Sequence, residues 1–195
     1  MDNQPHDLIN KIKKLEHELS QEIQKKEEEF FYKIHNKKIY FENKTKQAHT
    51  QLARTIYRYL LDSTLVNLLT VPAIWACLPP TLLLDLTVTI FQAICFPVYK
   101  IPKVKRNEYV VIDRHSLRYL NPIEKLNCIY CGYFNGLMSY IQEIAARTEQ
   151  YWCPIKHARK ISNIHSRYHK FIEYGDAENY CRELEQIRKD FTDLT

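Results

Sequence analysis

The sequence predicts a mainly α protein in three parts: a long amino-terminal helical rod, a membrane helical hairpin, and a small metal-stapled helical domain with at most one short strand or hairpin. Three observations predict it. From Asp7 to Val71 there is neither glycine nor proline. From Ser63 to Tyr99 the single charged residue is Asp85. Between Cys128 and His157, three cysteines and a histidine stand at metal-ligand spacing. The expected boundaries are residues 1–62, 63–99 and 100–195.

Composition narrows the function classes. A net charge of +5 is modest and gives no reason to expect a nucleic-acid partner. Only 3 glycines and 26% charged residues fit a helix-rich chain with little loop. Met1 to Lys14 is polar and charged, so no secretory signal is expected there. The six cysteines then read as reduced thiols rather than disulfides.

The rod rests on an eleven-residue recurrence of Leu8, Leu19, Phe30, Phe41 and Leu52, accompanied by Ile12, Ile23, Ile34 and Ile56. Eleven residues over three turns keeps such a stripe nearly straight or coils it gently to the right. A rod of this kind cannot cover its own stripe, which points to a coiled coil and a homo-oligomer through the amino-terminal helix. Lys26, Lys37 and Thr45 interrupt the seam.

The apolar stretch that follows is long enough to enter a bilayer. Pro79-Pro80 divides it into two segments, each short of the ~20 residues of a full span. Arg54 and Arg58 precede it, and Lys100, Lys103, Lys105 and Arg106 follow it. Basic residues at both ends favour one side of the membrane for both, hence a helical hairpin turning at Pro79-Pro80 that dips in or crosses twice. A buried helical pair in a soluble core is the competing reading. Asp85 is expected to cap or bond within the hairpin, because an unpaired carboxylate there is costly.

Beyond the basic exit, Tyr109 to Ile112 reads as one short strand. Asp113, Arg114 and His115 form a weak candidate acid–base group, with cap and surface roles as the plainer reading. A helix restart is expected at Asn121-Pro122 and an amphipathic helix after Asn135. On that helix Leu137, Tyr140, Ile141, Ile144, Thr148 and Tyr151 share a stripe, while Gln142, Glu143, Arg147 and Glu149 face elsewhere. A further helix is expected from Pro154 to Ile172, with His157 on its inner side. Gly175 would end it, and Asp176 would cap a last helix beginning at Ala177.

The metal expectation combines Cys128 and Cys131, a C-x-x-C pair before Gly132, with Cys153, which precedes Pro154, and His157, four positions later. Three thiolates and one imidazole are a common structural zinc set with no open position for water. His165, His169 and Cys181 are rivals for the fourth place.

Two resemblances follow from these residues. Asn127-Cys128-Ile129-Tyr130-Cys131-Gly132-Tyr133, taken with Arg147 to Ala158, resembles a bacterial membrane-associated family of no established activity. The resemblance extends over roughly residues 65–175 and implies membrane association. Cys128, Cys131-Gly132 and Cys153-Pro154 also resemble the knuckles of rubredoxin, which implies iron. Lys156 stands where the fourth rubredoxin cysteine would be.

Together these expectations describe a membrane-anchored, zinc-stabilised scaffold or accessory protein on the cytoplasmic side of a bacterial inner membrane. Its partners would be membrane lipid, another copy of itself and an unidentified protein. The alternatives are an iron-binding electron-transfer protein at the membrane and a monotopic enzyme acting on a lipid head group through Asp113, Arg114 and His115.

Overall fold

The computed structural model describes residues 4–30, 32–35, 38–53 and 55–194. The protein is mainly helical, with a single two-stranded sheet among the described residues. Its chain divides into two compact units: Met1–Leu60 with Asp113–Leu126, and Leu61–Ile112 with Asn127–Thr195. The expected cut at residue 99 is therefore not where the structure divides. The apolar stretch belongs with the carboxy-terminal helices, and Asp113–Leu126 belongs with the amino-terminal elements.

In the first unit the continuous rod is replaced by shorter elements. Helix α1 spans Gln4–Glu29, and strands β1 (Tyr32–His35) and β2 (Lys38–Phe41) follow as an antiparallel ribbon. Helices α2 (Asn43–Gln51) and α3 (Ile56–Asp62) come next. Absence of glycine and proline permits a helix but does not enforce one. The register pairs Tyr32 with Phe41 and Ile34 with Ile39, an alternation of aromatic and β-branched residues that suits strands. The eleven-residue series is thus spread over three elements, with Phe30 just past α1, Phe41 in β2 and Leu52 at the end of α2. It forms no single stripe. Within α1 itself Leu15, Leu19 and Ile23 are exposed.

The second unit is built on α4 (Leu65–Ala76), α5 (Leu78–Tyr99) and α7 (Pro122–Trp152), whose first turns belong to the first unit. The expected hairpin does not form at Pro79-Pro80. Cys77 keeps right-handed helical angles (φ −74°, ψ −15°), and Leu65–Tyr99 runs on as one helix. Both prolines fall in the first turn of α5, where the amide hydrogens they lack would have no partner within that helix. The helix ends on Lys100, in the left-handed region at φ 58°. There Ile101 N bonds Phe96 O at 2.9 Å and Lys100 N bonds Pro97 O at 3.3 Å, the paired closure of a Schellman motif. Phe96 and Ile101, the two apolar residues flanking that motif, are both buried.

Helices α5 and α7 pack in parallel. Contacts advance in step along both: Asp85 with Tyr133, Gln92 with Tyr140, and Tyr99 with Tyr151. Parallel packing requires the chain to return between them, and residues 100–112 do so. The return includes the four-residue helix α6 (Arg106–Tyr109) and an extended Val110, not the expected strand. It lies so close to α7 that a Cβ on Gly136 would stand 2.6 Å from Tyr109 O and 2.8 Å from Val110 Cα. The core of this unit gathers Phe96, Ile101, Val104, Leu137, Tyr140, Ile144 and Phe191.

The start of α7 follows the sequence. Asn121 Oδ1 accepts from Glu124 N and Glu124 Oε2 accepts from Asn121 N, both at 2.9 Å, a reciprocal cap with Pro122 at the first helical position. No α-helix forms over 154–172, where the one helical turn is a short 3-10 turn at Tyr168–Lys170. That segment is irregular and is closed by a parallel bridge in which Ile172 N bonds Pro154 O at 2.8 Å and Lys156 N bonds Ile172 O at 2.7 Å. Helix α8 (Ala177–Ile187) begins as expected, with Asp176 Oδ1 accepting from Asn179 N at 3.0 Å.

Candidate functional site

The four expected metal ligands are not brought together. Cys128 and Cys131 lie within α7, where Gly132 is an interior helical residue rather than a turn. Cys153 follows the last residue of the same helix. Twenty-two positions separate Cys131 from Cys153, about 33 Å along the helix axis. One ion cannot reach both at thiolate bonding distances near ~2.3 Å. His157 sits in the irregular segment, its backbone N donating to the Tyr168 hydroxyl at 2.9 Å and its ring stacked on that tyrosine. All six cysteines are free thiols. Among the described residues no three His, Cys, Asp or Glu side chains gather in a way that could hold an ion. Of the rivals, His165 accepts from Arg167 N at Nδ1, and its Nε2 lies 3.1 Å from Glu149 Oε2. Cys181 is exposed on α8.

Asp113, Arg114 and His115 fall at a short 3-10 turn, Arg114–Ser116. Asp113 O accepts from Ser116 Oγ at 2.6 Å, which is a turn-forming role. Asp113 and Arg114 do line a cavity of about 290 Å³ with Tyr32, Ile39, Phe41 and Leu117, and His115 is not among its walls. The acid–base pairing of Asp113 with His115 therefore has no support in the geometry.

What holds the carboxy-terminal unit together is a set of ionic and polar contacts that spacing does not reveal. Glu143 and Arg147, expected to face away from the core, are both buried, and Arg147 Nε donates to Glu143 Oε1 at 2.8 Å. Arg147 Nη1 also donates to Pro102 O at 2.7 Å, and Ser166 Oγ donates to Glu143 Oε2 at 2.5 Å. Thus one pair on α7 fixes both the return segment and the irregular stretch. Gln150, fully buried, donates to the carbonyl of Ile187, the last residue of α8, and to that of Asp190 just beyond it. Nearby Arg167 and Lys170 converge on Asp193, whose carboxyl is held well below its usual range by the Arg167 guanidinium and, less strongly, by Lys170. Asp190 is lowered too, by the Thr192 hydroxyl and then by Lys170.

Two polar residues of the apolar helix, Asp85 and Gln92, reach partners outside it. Asp85 accepts from Arg106 Nη2 at 2.7 Å and from the Tyr133 hydroxyl at 2.9 Å, and from Thr89 Oγ1 on its own helix at 3.4 Å. Gln92 Oε1 accepts from Val104 N at 2.7 Å, while Gln92 Nε2 donates to Val104 O at 3.3 Å and to the Tyr140 hydroxyl at 2.9 Å. One sequence signal could have shown this. Thr81, Asp85, Val88, Gln92, Phe96 and Tyr99 follow one another at steps of four or three, as do Tyr130, Tyr133, Leu137, Tyr140 and Ile144.

The rest of the apolar helix is open. Leu83, Leu86, Ile90, Ile94 and Val98 are 49–71% exposed, and α4 contains no buried residue. Helix Leu65–Tyr99 is long and apolar enough to cross a membrane. At its carboxy-terminal end Tyr99 stacks on Tyr151 with ring centres 4.9 Å apart, beside an exposed Trp152. No family model, curated protein or solved structure matches this chain.

Proposed function

We propose that the chain is a membrane-associated scaffold or accessory protein, held at the cytoplasmic face of a bacterial inner membrane by helix Leu65–Tyr99. The observation that carries this reading is the row of large aliphatic side chains left open along a helix of membrane-compatible length. Burying a side chain of this size is worth about 1.5–3 kcal/mol, so a row left in water calls for a cover. Exposed Lys100, Lys103, Lys105 and Arg106 lie just beyond the helix and suit an anionic lipid surface.

The carboxy-terminal unit is the rigid part of the scaffold in this reading, stabilised by the Glu143–Arg147 pair and the Gln150 contacts. The exposed Leu15, Leu19 and Ile23 of α1 supply a face for another copy or a partner helix. Iron-based electron transfer would need the same cysteines as zinc and gains nothing from their separation. Fractionation tests the reading. The full chain is expected in the membrane pellet after washing in physiological salt, and a variant with Leu83→Glu, Leu86→Glu and Ile90→Glu in the soluble fraction. Quantitative recovery of the unaltered chain in the soluble fraction would overturn it.

A further inference from the structure

We infer that α5 lies in the plane of the membrane surface and meets a phospholipid bilayer along one face, Leu83 to Val98, without crossing. The inference rests on the reading of the chain as membrane-associated and specifies the manner of contact.

At 100° per residue, Leu83, Leu86, Ile90, Ile94 and Val98 fall within an arc of about 120°. Thr81, Asp85, Val88, Gln92 and Phe96 occupy the opposite arc, and they are the residues the protein itself covers. The helix is therefore two-sided through packing, although its composition is apolar all round. Leu82 and Leu84, also exposed, border the open arc on either side, and the division follows the axis of α5.

The return segment that packs beside α7 on the covered face is polar. Asp85 is tied to Arg106, and Gln92 is tied to the backbone of Val104. The segment making those bonds carries Lys103, Lys105, Asn107 and Glu108, all exposed. Were α5 to cross, this segment would be drawn with it to hydrocarbon depth, where charged side chains are strongly disfavoured. Laid flat, α5 puts its aliphatic arc into the acyl boundary and leaves the lysines at head-group level, the arrangement of an interfacial helix. Trp152, 55% exposed against Tyr99 and Tyr151, has the amphipathic ring that favours that boundary.

Nitroxide labels placed singly at positions 83, 86, 90, 94 and 98 of the full chain, with the native cysteines replaced, test this in phosphatidylethanolamine–phosphatidylglycerol vesicles. Collision rates with oxygen and with a water-soluble nickel chelate report depth. The expected result is one shallow depth shared by all five labels. A steady progression, by about 22 Å from 83 to 98 for an upright helix, would overturn the in-plane inference and leave membrane association standing. Nickel access at all five sites as high with vesicles as in free solution would overturn both. Protection that is already complete without vesicles would show another copy of the chain on this face, and would also overturn the inference.

Discussion

Gln92 and Tyr140 meet at 2.9 Å across the parallel seam of α5 and α7, and the same Gln92 side chain brackets both backbone groups of Val104. One amide thus joins three segments that are far apart in sequence. Replacing Gln92 with Leu leaves Val104 N, Val104 O and the tyrosine hydroxyl to find other partners. Each stranded buried group costs about 1–3 kcal/mol. Gln92→Leu is expected to destabilise by at least that much, and Tyr140→Phe by about 1 kcal/mol, in denaturant titrations of the purified chain. A Leu variant as stable as the parent would mean that the return segment is not held by this contact.

The two glycines of α7 make a matched test of the return path. A methyl group at Gly136 would meet Tyr109 O at 2.6 Å, which is backbone and has no rotamer to yield. At Gly132 the nearest atom is Val111 O at 3.3 Å. Gly136→Ala is expected to destabilise by about 1–3 kcal/mol through overpacking. For Gly132→Ala the ~1 kcal/mol helix preference for alanine offsets the tighter contact, giving a near-neutral change. Thermal unfolding of the two variants should separate them clearly.

Acid should loosen the carboxy-terminal unit before the rest. Asp193 and Asp190 have folded-state values below the usual aspartate value of 3.8. A group depressed by folding contributes stability that is complete above its unfolded value and is lost as pH falls toward the folded one. Stability is therefore expected to decline below about pH 4, where the unfolded carboxyls begin to take up protons. Asp193→Asn should lower stability at neutral pH and flatten that decline. An acid limb identical to that of the parent would show that the Arg167 and Lys170 pairing carries no linkage.

The Glu143–Arg147 pair is an ionic staple of the small carboxy-terminal unit. Removing one member of a buried pair costs about 3–5 kcal/mol, because the other charge is left without its partner. Arg147→Met is expected to lower stability on that scale, and Glu143→Gln added to it should recover part of the loss. Cys128→Ser and Cys153→Ser should leave both the unfolding midpoint and the metal content of the chain unchanged. Stoichiometric zinc lost on either serine substitution would require residues 153–157 to fold back over α7.

Local signals carried the parts of this fold that are local. Asn121-Pro122 with Glu124, and Asp176 before Ala177, start helices through bonds made within four residues, and both are legible in the sequence. Apolar composition likewise marked Leu65–Tyr99. The errors arose where a short motif had two physical readings. Cys128-Ile129-Tyr130-Cys131-Gly132 suits a metal-binding turn, but within the helix the glycines serve a close approach of Tyr109 to Val111 that lies some twenty residues upstream. Pro79-Pro80 suits a turn equally well as a first helical turn. Glu143 and Arg147 looked like a solvated face because the atoms that satisfy them belong to Pro102 and Ser166. The ribbon Tyr32–Phe41 was legible in its alternation but was masked by the coincidence of an eleven-residue series.

Parallel packing of α5 with α7 also fixes an order of events at the ribosome. The partners of Asp85 and Gln92 lie 12 to 48 residues later in the chain. At roughly 5–20 residues per second, Asp85 and Gln92 are joined to the chain several seconds before Tyr133 and Tyr140. During that interval the seam is uncovered as fully as the lipid-facing arc, and the nascent helix has no preferred side. Its orientation is acquired only when the return segment docks, so the direction in which this helix faces is decided by residues translated after it.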